Sequence, residues 1–498
     1  MPSAEISDRT TPTGEGETHY NPGEAEKVDE LRDPNIVDWD GPDDPANPLN
    51  WSATRKATMI GVVSFITFLS PLASTIIAPA AGLVMRDFHT TSSILGSFIT
   101  SIYLLGYAFG PLVLAPVSEL YGRSIVYNVC NVVFLVFNVA CAKAPNMGGL
   151  LAFRLFAGIA GSSPVTIGAG SIADMIAVEN RGLAMTGWII GPLIGPVVGP
   201  IIGGYLAPAK SWRWVFWLLS IVSGAICVVT FALMKESSAL IILERKARRA
   251  RKETGNDKLR SKLHTGRASK ELFMLAILRP TKMLFMSPIV FLLSLYTSSI
   301  YAYMYLCFTT FPTIFEQQYG FSPSSSSLAY LGIGTGCIFG LLLAGGLSDR
   351  MLKALTVKNG GEPKPEYRLP LMIIGGIFVP VGLFWYGWSA QTKTHYIVPI
   401  IGTSFLGGGM VIAYMASATY IIDAFKTYAA SATAAGTVLR SLLGALLPLA
   451  GPPMYSALGV GWGTSVLGFI AVGMVPLPFV FIRYGERIRE NKLFKVEW

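Results

Sequence analysis

Gly191-Pro192-Leu193-Ile194-Gly195-Pro196-Val197-Val198-Gly199-Pro200-Ile201-Ile202-Gly203-Gly204 is a stretch that water would not keep helical, because glycine and proline are the two poorest helix formers. In lipid the balance differs: neighbouring helices re-satisfy freed backbone groups, and small residues let helices approach closely. Gly195, Gly199 and Gly203 recur every fourth residue and share one helical face, while Pro192, Pro196 and Pro200 form a second stripe of the same period. The stretch reads as a packing and bending element of a membrane-spanning helix. One face packs; the other cannot hydrogen-bond normally.

The surrounding chain has the composition this requires. It has 498 residues, 52% of them hydrophobic and 14% charged, with a mean hydropathy of +0.50, outside the range of soluble domains. A span needs about 20 mainly apolar residues, and twelve such stretches lie near 57 to 79, 93 to 117, 124 to 142, 148 to 173, 182 to 206, 213 to 234, 284 to 311, 325 to 347, 369 to 388, 396 to 422, 428 to 456 and 461 to 482. The fold expected is an all-α membrane protein of twelve transmembrane helices in two six-helix bundles, 57 to 234 and 284 to 482. An acidic, largely disordered tail over 1 to 56, a basic linker over 235 to 283 and a short tail over 483 to 498 complete the expected domain plan. Residues 1 to 56 show no secretory signal, so the first span is expected to insert as its own anchor.

Lysine and arginine set the orientation. The linker carries Arg245, Lys246, Arg248, Arg249, Arg251, Lys252, Lys258, Arg260, Lys262, Arg267 and Lys270, and further basic residues follow the eighth and twelfth spans. Connections on the other side hold only Arg86, Lys143, Lys210, Arg213 and Lys393. Both termini and the linker are therefore expected in the cytoplasm, with the protein in the plasma membrane. The net charge of +9 needs no nucleic-acid partner. The segment 239 to 252, apolar and then basic, reads either as a helix on anionic lipid or as a solvated loop. Cys130, Cys141, Cys227, Cys307 and Cys337 all fall in apolar spans without CxxC spacing, which implies neither a metal site nor a disulfide framework.

The two halves share a signature after their second span. Ala115-Pro116-Val117-Ser118-Glu119-Leu120-Tyr121-Gly122-Arg123 is matched by Gly345-Gly346-Leu347-Ser348-Asp349-Arg350, with an acid after Ser and an Arg one or four residues later. Glu119, Gly122, Arg123, Asp349 and Arg350 are accordingly expected to form a cytoplasmic gate, the acid and base pairing with partners on neighbouring helices in a latch that helix motion must break; ordinary loop charge is the alternative.

With these repeats and Gly199-Pro200-x-x-Gly203-Gly204, the chain resembles the major facilitator superfamily, and more narrowly its fungal twelve-span drug:proton antiporter branch. Val37-Asp38-Trp39-Asp40-Gly41-Pro42 onward to Trp51, Arg154-Leu-Phe-Ala-Gly158-Ile-Ala-Gly161-Ser162-Ser163-Pro164, and Asp423 through Tyr428 to Ser431 are similar to segments of that branch, so the likeness covers 37 to 498. Gly195, Pro196, Gly199, Pro200, Gly203 and Gly204 correspond to its antiporter motif. Ala115 replaces the family's Gly, Arg123-Ser124 replaces a basic pair, and Ala157 stands where a Gln is frequent.

Charges within spans are few, and each is a functional hypothesis. Arg154 shares a face with Gly158 and Gly161, and the resemblance implies proton coupling for it; a structural Arg bonding backbone carbonyls is the alternative. Arg440 lies about three turns into its span. Arg stays protonated, so coupling requires a carboxylate, and no Asp or Glu sits mid-span; Asp174 and Glu119 are the candidate carriers, with gating salt bridges an equal reading. The resemblance places a substrate cavity between the halves, to which Arg154, Arg440, Tyr103, Tyr107, Tyr301, Tyr305 and Tyr414 are assigned. Aromatic residues with a polar tip suit large substrates of mixed polarity.

The resulting expectation is a transporter and not an enzyme: an alternating-access exporter of small organic compounds, either xenobiotics or a secondary metabolite, in exchange for protons. An organic-acid exporter and a transporter-fold sensor are the alternatives. Its partners would be a small-molecule substrate, protons and membrane lipid, acting on a monomer without cofactor, metal or nucleic acid.

Overall fold

A computed structural model of the chain describes residues 35 to 177, 180 to 263 and 269 to 490. Its spans are, in order, Ala53–Thr75, Ser93–Tyr121, Arg123–Ala142, a fourth in two pieces (Met147–Gly161 and Ser163–Met175), Arg181–Ala209, Trp212–Leu233, Pro288–Tyr319, Tyr330–Lys358, Leu369–Gln391 and Ile397–Phe425. The break in the fourth follows from Pro164, which has no N–H for the preceding turn.

Among the described residues there are, by continuity, eleven long apolar helical segments, and the last, Ala429–Arg489, is 61 residues long. It holds two spans. Gly459 has φ 73° and ψ 169°, a conformation no helix contains. A Cβ on Gly463 would lie 2.5 Å from the Tyr455 ring, eight residues earlier. A straight helix would rise about 12 Å over that interval, so the chain folds back at Gly459, within the expected connection between the eleventh and twelfth spans. Both ends of the segment accordingly reach one face: Arg489 pairs with Glu366 at 3.2 Å, beside the Arg368–Asp423 pair at 3.1 Å.

The helices pair as two copies of one plan. The first packs on the fifth, the second on the fourth, and the third on the fourth and sixth; six spans later the seventh packs on the eleventh, the eighth on the tenth, and the ninth on the tenth and twelfth. The halves meet through the second against the eleventh and the fifth against the eighth, again related by the six-span shift. Glycine makes the tightest crossings possible. A Cβ on Gly340 would lie 2.6 Å from the Gly408 carbonyl oxygen, and Gly332 and Gly336 meet the tenth span's backbone just as closely.

On the face carrying the linker, residues 35 to 52 are folded, in contrast to the disordered tail expected there; residues 1 to 34 lie outside the described residues. Strand β1 (Ile36–Val37) pairs in parallel with β2 (Arg260–Ser261) of the linker. Lys262 meets Asp38 at 2.6 Å, and Lys246 meets Asp40 at 2.6 Å and Asp44 at 3.7 Å. Backbone N–H groups of Asp40 and Ala46, with Lys246, hold the Asp44 carboxyl below the usual carboxylate range. The run that could have been solvated is a helix, Ala239–Thr254, with Ile241, Leu243 and Ala247 buried. A second linker helix, Ser269–Met286, follows.

Candidate functional site

The site assembles where the two halves meet. Arg154, 2% exposed, reaches across to the ends of two spans. Its Nε donates to the Ile99 carbonyl at 2.5 Å and its Nη2 to the Ser74 carbonyl at 2.8 Å, with longer bonds to Ala73 and Thr100. Ala73 and Ser74 belong to the last turn of the first span, where carbonyls lack intrahelical donors and the helix dipole is negative. A guanidinium there neutralises both deficits. Its face lies 5.4 Å from the Tyr103 ring centre and 5.7 Å from that of Phe216. No carboxylate pairs with Arg154 among the described residues.

From Arg154 a chain of hydroxyls and rings crosses between halves. Ser70 joins the hydroxyls of Tyr103 at 3.0 Å and Tyr107 at 2.5 Å, and donates to the Gly161 carbonyl. Ser74 Oγ meets the Tyr305 hydroxyl of the seventh span at 2.9 Å. The Tyr305 ring lies 4.9 Å from that of Tyr301, and Arg440 lies 5.3 Å from Tyr301 and 4.9 Å from Tyr414. All seven residues expected in the cavity therefore stand in one connected cluster. Arg440 and Tyr414 are only half-buried, unlike Arg154.

The glycine face of the fifth span lies against the first span, and the fit is graded. A Cβ on Gly187 would meet nothing within 4 Å; on Gly191 it would lie 3.0 Å from Phe68 N, on Gly195 2.7 Å from Phe68 O and on Gly199 2.5 Å from Leu72 O, with Gly203 closer still to Ile76 O. The two helices touch at one end and splay toward the linker face. The proline stripe leaves the deficit its chemistry demands: Pro200 has no N–H for the Pro196 carbonyl, and Thr75 Oγ1 donates to that oxygen at 3.0 Å. Gly204 turns to the other half, where Ser324 Oγ donates to its carbonyl at 3.0 Å. A Cβ on Gly334 of the eighth span would lie 2.6 Å from Val197. On the linker side Gly182, Gly345 and Gly346 have open space around their Cα atoms. The halves are thus sealed on the side away from the linker.

Of the expected gate residues, Arg123 and Asp349 pair with partners on neighbouring helices, while Glu119 and Arg350 do not. Arg123 does not pair with Glu119; its Nε faces Asp174 at 3.4 Å and its Nη1 donates to Ser118 Oγ at 2.7 Å. Glu119 is exposed, and no ion pair ties it to another described residue. In the second half Arg368, not Arg350, takes the equivalent place, meeting Asp349 at 2.7 Å, Asp423 at 3.1 Å and Ser348 Oγ at 2.9 Å. Arg350 is exposed. Each cluster ties the end of one span, the start of the next and the end of the one after, all within a half, so neither crosses between halves. Asp174 lies 20 residues from Arg154 along the fourth span, about 30 Å.

Two contributors are absent from the sequence reading. Glu236 accepts from the N–H groups of Arg123 at 2.9 Å and Ser124 at 3.3 Å, holding the start of the third span, while Gly122 turns there with φ 107°. Nothing in the local sequence marks it. Gly332, Gly336 and Gly340 were detectable, since they repeat the four-residue spacing of the fifth span.

Comparison with known proteins agrees with this architecture. The chain is 58% identical over 470 residues to the MFS-type transporter penM of Penicillium rubens, covering 94% of this chain and 92% of that protein. It is 47% identical to the efflux pump radE of Floropilus chiversii over 94% of this chain and 87% of that protein. Among solved structures, the inward-open xylose transporter XylE of E. coli matches with TM-score 0.64 and 16% identity, covering 86% of this chain and 96% of that one. The profile described as Major Facilitator Superfamily matches residues 63–448. Together with the paired six-span halves and the intramembrane cluster between them, this makes the chain a multi-pass membrane transporter, not an enzyme, belonging to the major facilitator superfamily.

Proposed function

We propose that the protein exports small organic compounds, either xenobiotics or a fungal secondary metabolite, from the cytoplasm across the plasma membrane, using the proton gradient. The observation that supports this reading is the cluster between the halves: Arg440 and Tyr414 are half-buried in it, while the end away from the linker is closed by Ser74–Tyr305 and Gly204–Ser324. By the positive-inside rule the basic linker would lie in the cytoplasm with both termini, and the sealed end would face the outside. Kinship with a protein named as an efflux pump supports the same reading.

Alternation would break the far-side contacts and bring the linker-side ends together. Asp174 is the carboxylate best placed to couple a proton to that motion. Protonating it would release Arg123, and with it the end of the second span that Arg123 holds through Ser118. Glu119, exposed and unpaired among described residues, would serve as a secondary acceptor. Arg154 keeps its charge and acts by fixing the ends of spans one and two around the route. Within the fifth-span motif, Gly195, Pro196, Gly199, Pro200 and Gly203 would hold the fifth span on the first inside one half, and Gly204 would belong to the seal that parts. The working unit is a monomer.

The test is accumulation of a panel of aromatic drugs and organic acids in yeast stripped of its own pumps, with and without a protonophore. Lower accumulation that the protonophore reverses is expected. Equal accumulation with and without the transporter would overturn the proposal.

A further inference from the structure

We infer that the transported compound carries an acidic group, received as its anion by Arg440, with its planar body lying on Tyr301 and Tyr414; this rests on the export reading above. The membrane interior of this protein holds an unbalanced charge. Arg154 and Arg440 both lie within it, and no ion pair links either to a described carboxylate. The two arginines are satisfied differently. Arg154 is closed off and its fork is filled by the carbonyls of Ala73, Ser74, Ile99 and Thr100. Arg440 lies against the faces of two tyrosine rings, which attract a cation through their quadrupoles but supply no counter-charge.

Position adds to this. Gly444, one turn from Arg440 on the same helix face, has so little room beside it that a Cβ would lie 3.1 Å from Tyr301 of the seventh span and 3.3 Å from Leu104 of the second. Arg440 therefore stands at the seam between halves, half-buried there. A planar, permanently charged fork with two aromatic walls suits a carboxylate, or an equally acidic enol or phenol, on a flat ring system. A polycation would meet only like charge there.

The test measures binding to the purified full-length protein in detergent, using radiolabelled naphthoate and its neutral partner naphthamide. Naphthoate should bind more tightly by at least about tenfold. Arg440→Gln should erase the preference while leaving the melting temperature and gel-filtration profile unchanged, and Arg440→Lys should restore part of it, since the charge returns without the fork. Equal affinity for the two probes, no binding of naphthoate, or a preference that survives Arg440→Gln would each overturn the inference. Cellular export of neutral compounds by the wild type, measured in parallel, separates the two readings. If neutral compounds are exported without an acid preference in binding, this inference alone fails. If nothing is exported, the parent reading fails with it.

Discussion

Gly204→Ala adds one methyl group at the seal between the halves. The new carbon would lie 2.5 Å from Ser327 Cβ and 3.0 Å from the Pro323 carbonyl oxygen. Carbon atoms settle at about 3.5–4.0 Å, so the far-side contact must part by about 1 Å and stretch the Ser324–Gly204 hydrogen bond of 3.0 Å. Overpacking of this kind costs about 1–3 kcal/mol. The penalty falls only on the state in which Gly204 touches the other half. At about 1.4 kcal/mol per factor of ten, the equilibrium should move toward the opposite state by roughly 5- to 150-fold. Thr437, one turn on the linker side of Arg440, is half-buried and offers a reporter as Thr437→Cys. All five native cysteines are buried and give little background. An impermeant maleimide applied to the cytoplasmic side of inside-out vesicles should label Thr437→Cys at least about fivefold more slowly when Gly204→Ala is present. Unchanged labelling in a folded, membrane-inserted double variant would refute the reasoning. Gly195→Ala is the control: its methyl meets the first span's backbone at 2.7 Å within one half, so it should lower the melting temperature and leave the conformational preference unaltered.

Tyr305→Phe removes the inter-half hydrogen bond to Ser74, worth about 1 kcal/mol, and should slow the same labelling roughly fivefold; no change would place the seal elsewhere. Glu119→Gln should leave efflux within about twofold of wild type, whereas Asp174→Asn, which breaks the Arg123 pair, should lower it severalfold; the reverse ranking in an efflux assay would restore Glu119 to the gate. Arg154→Lys keeps the charge but loses the fork to four carbonyls, and with charged hydrogen bonds worth about 1.5–3 kcal/mol each, it should melt several degrees lower in detergent. An unchanged melting curve would make that carbonyl cage dispensable. The tail clasp has a definite pH sign. Asp44 is held below the usual carboxylate range, so its contribution is complete above the unfolded value of about 3.9 and fades only as pH falls through the lower folded value. Limited proteolysis between residues 35 and 52 should therefore be slow across cytosolic pH and accelerate below about pH 4; a rise between pH 6 and 7 would contradict the assignment.

Long apolar runs and their spacing made the twelve spans and their six-plus-six division legible, because a bilayer imposes length and hydrophobicity on each span separately. The Gly-Pro stripes were legible for a similar reason: a four-residue period defines a face whatever it packs against. What lay opposite that face was not legible. Thr75, which satisfies the carbonyl that Pro200 leaves bare, is more than a hundred residues away. The ion pairs were legible only in part. Glu119 and Arg350 are neighbours in sequence of the groups that matter, but helix ends bring together residues from three spans, and the partners proved to be Asp174 and Arg368. Residues 35 to 52 read as solvated because they are acidic and low in apolar content. Their order comes from Lys246 and Lys262, over two hundred residues later, and no local composition reports that. The distinction between Arg154 and Arg440 is likewise tertiary: equal in sequence, one is enclosed by carbonyls and the other left at the seam.

Purified protein in liposomes with an acidic interior tests the central claim most directly. Uptake of labelled compounds from the secondary-metabolite class should occur through molecules whose cytoplasmic face is outward, follow the imposed pH gradient, and stop when a protonophore collapses it. Uptake that is independent of the gradient, or missing while the protein is folded and binds its ligand, would contradict proton-driven export by this chain.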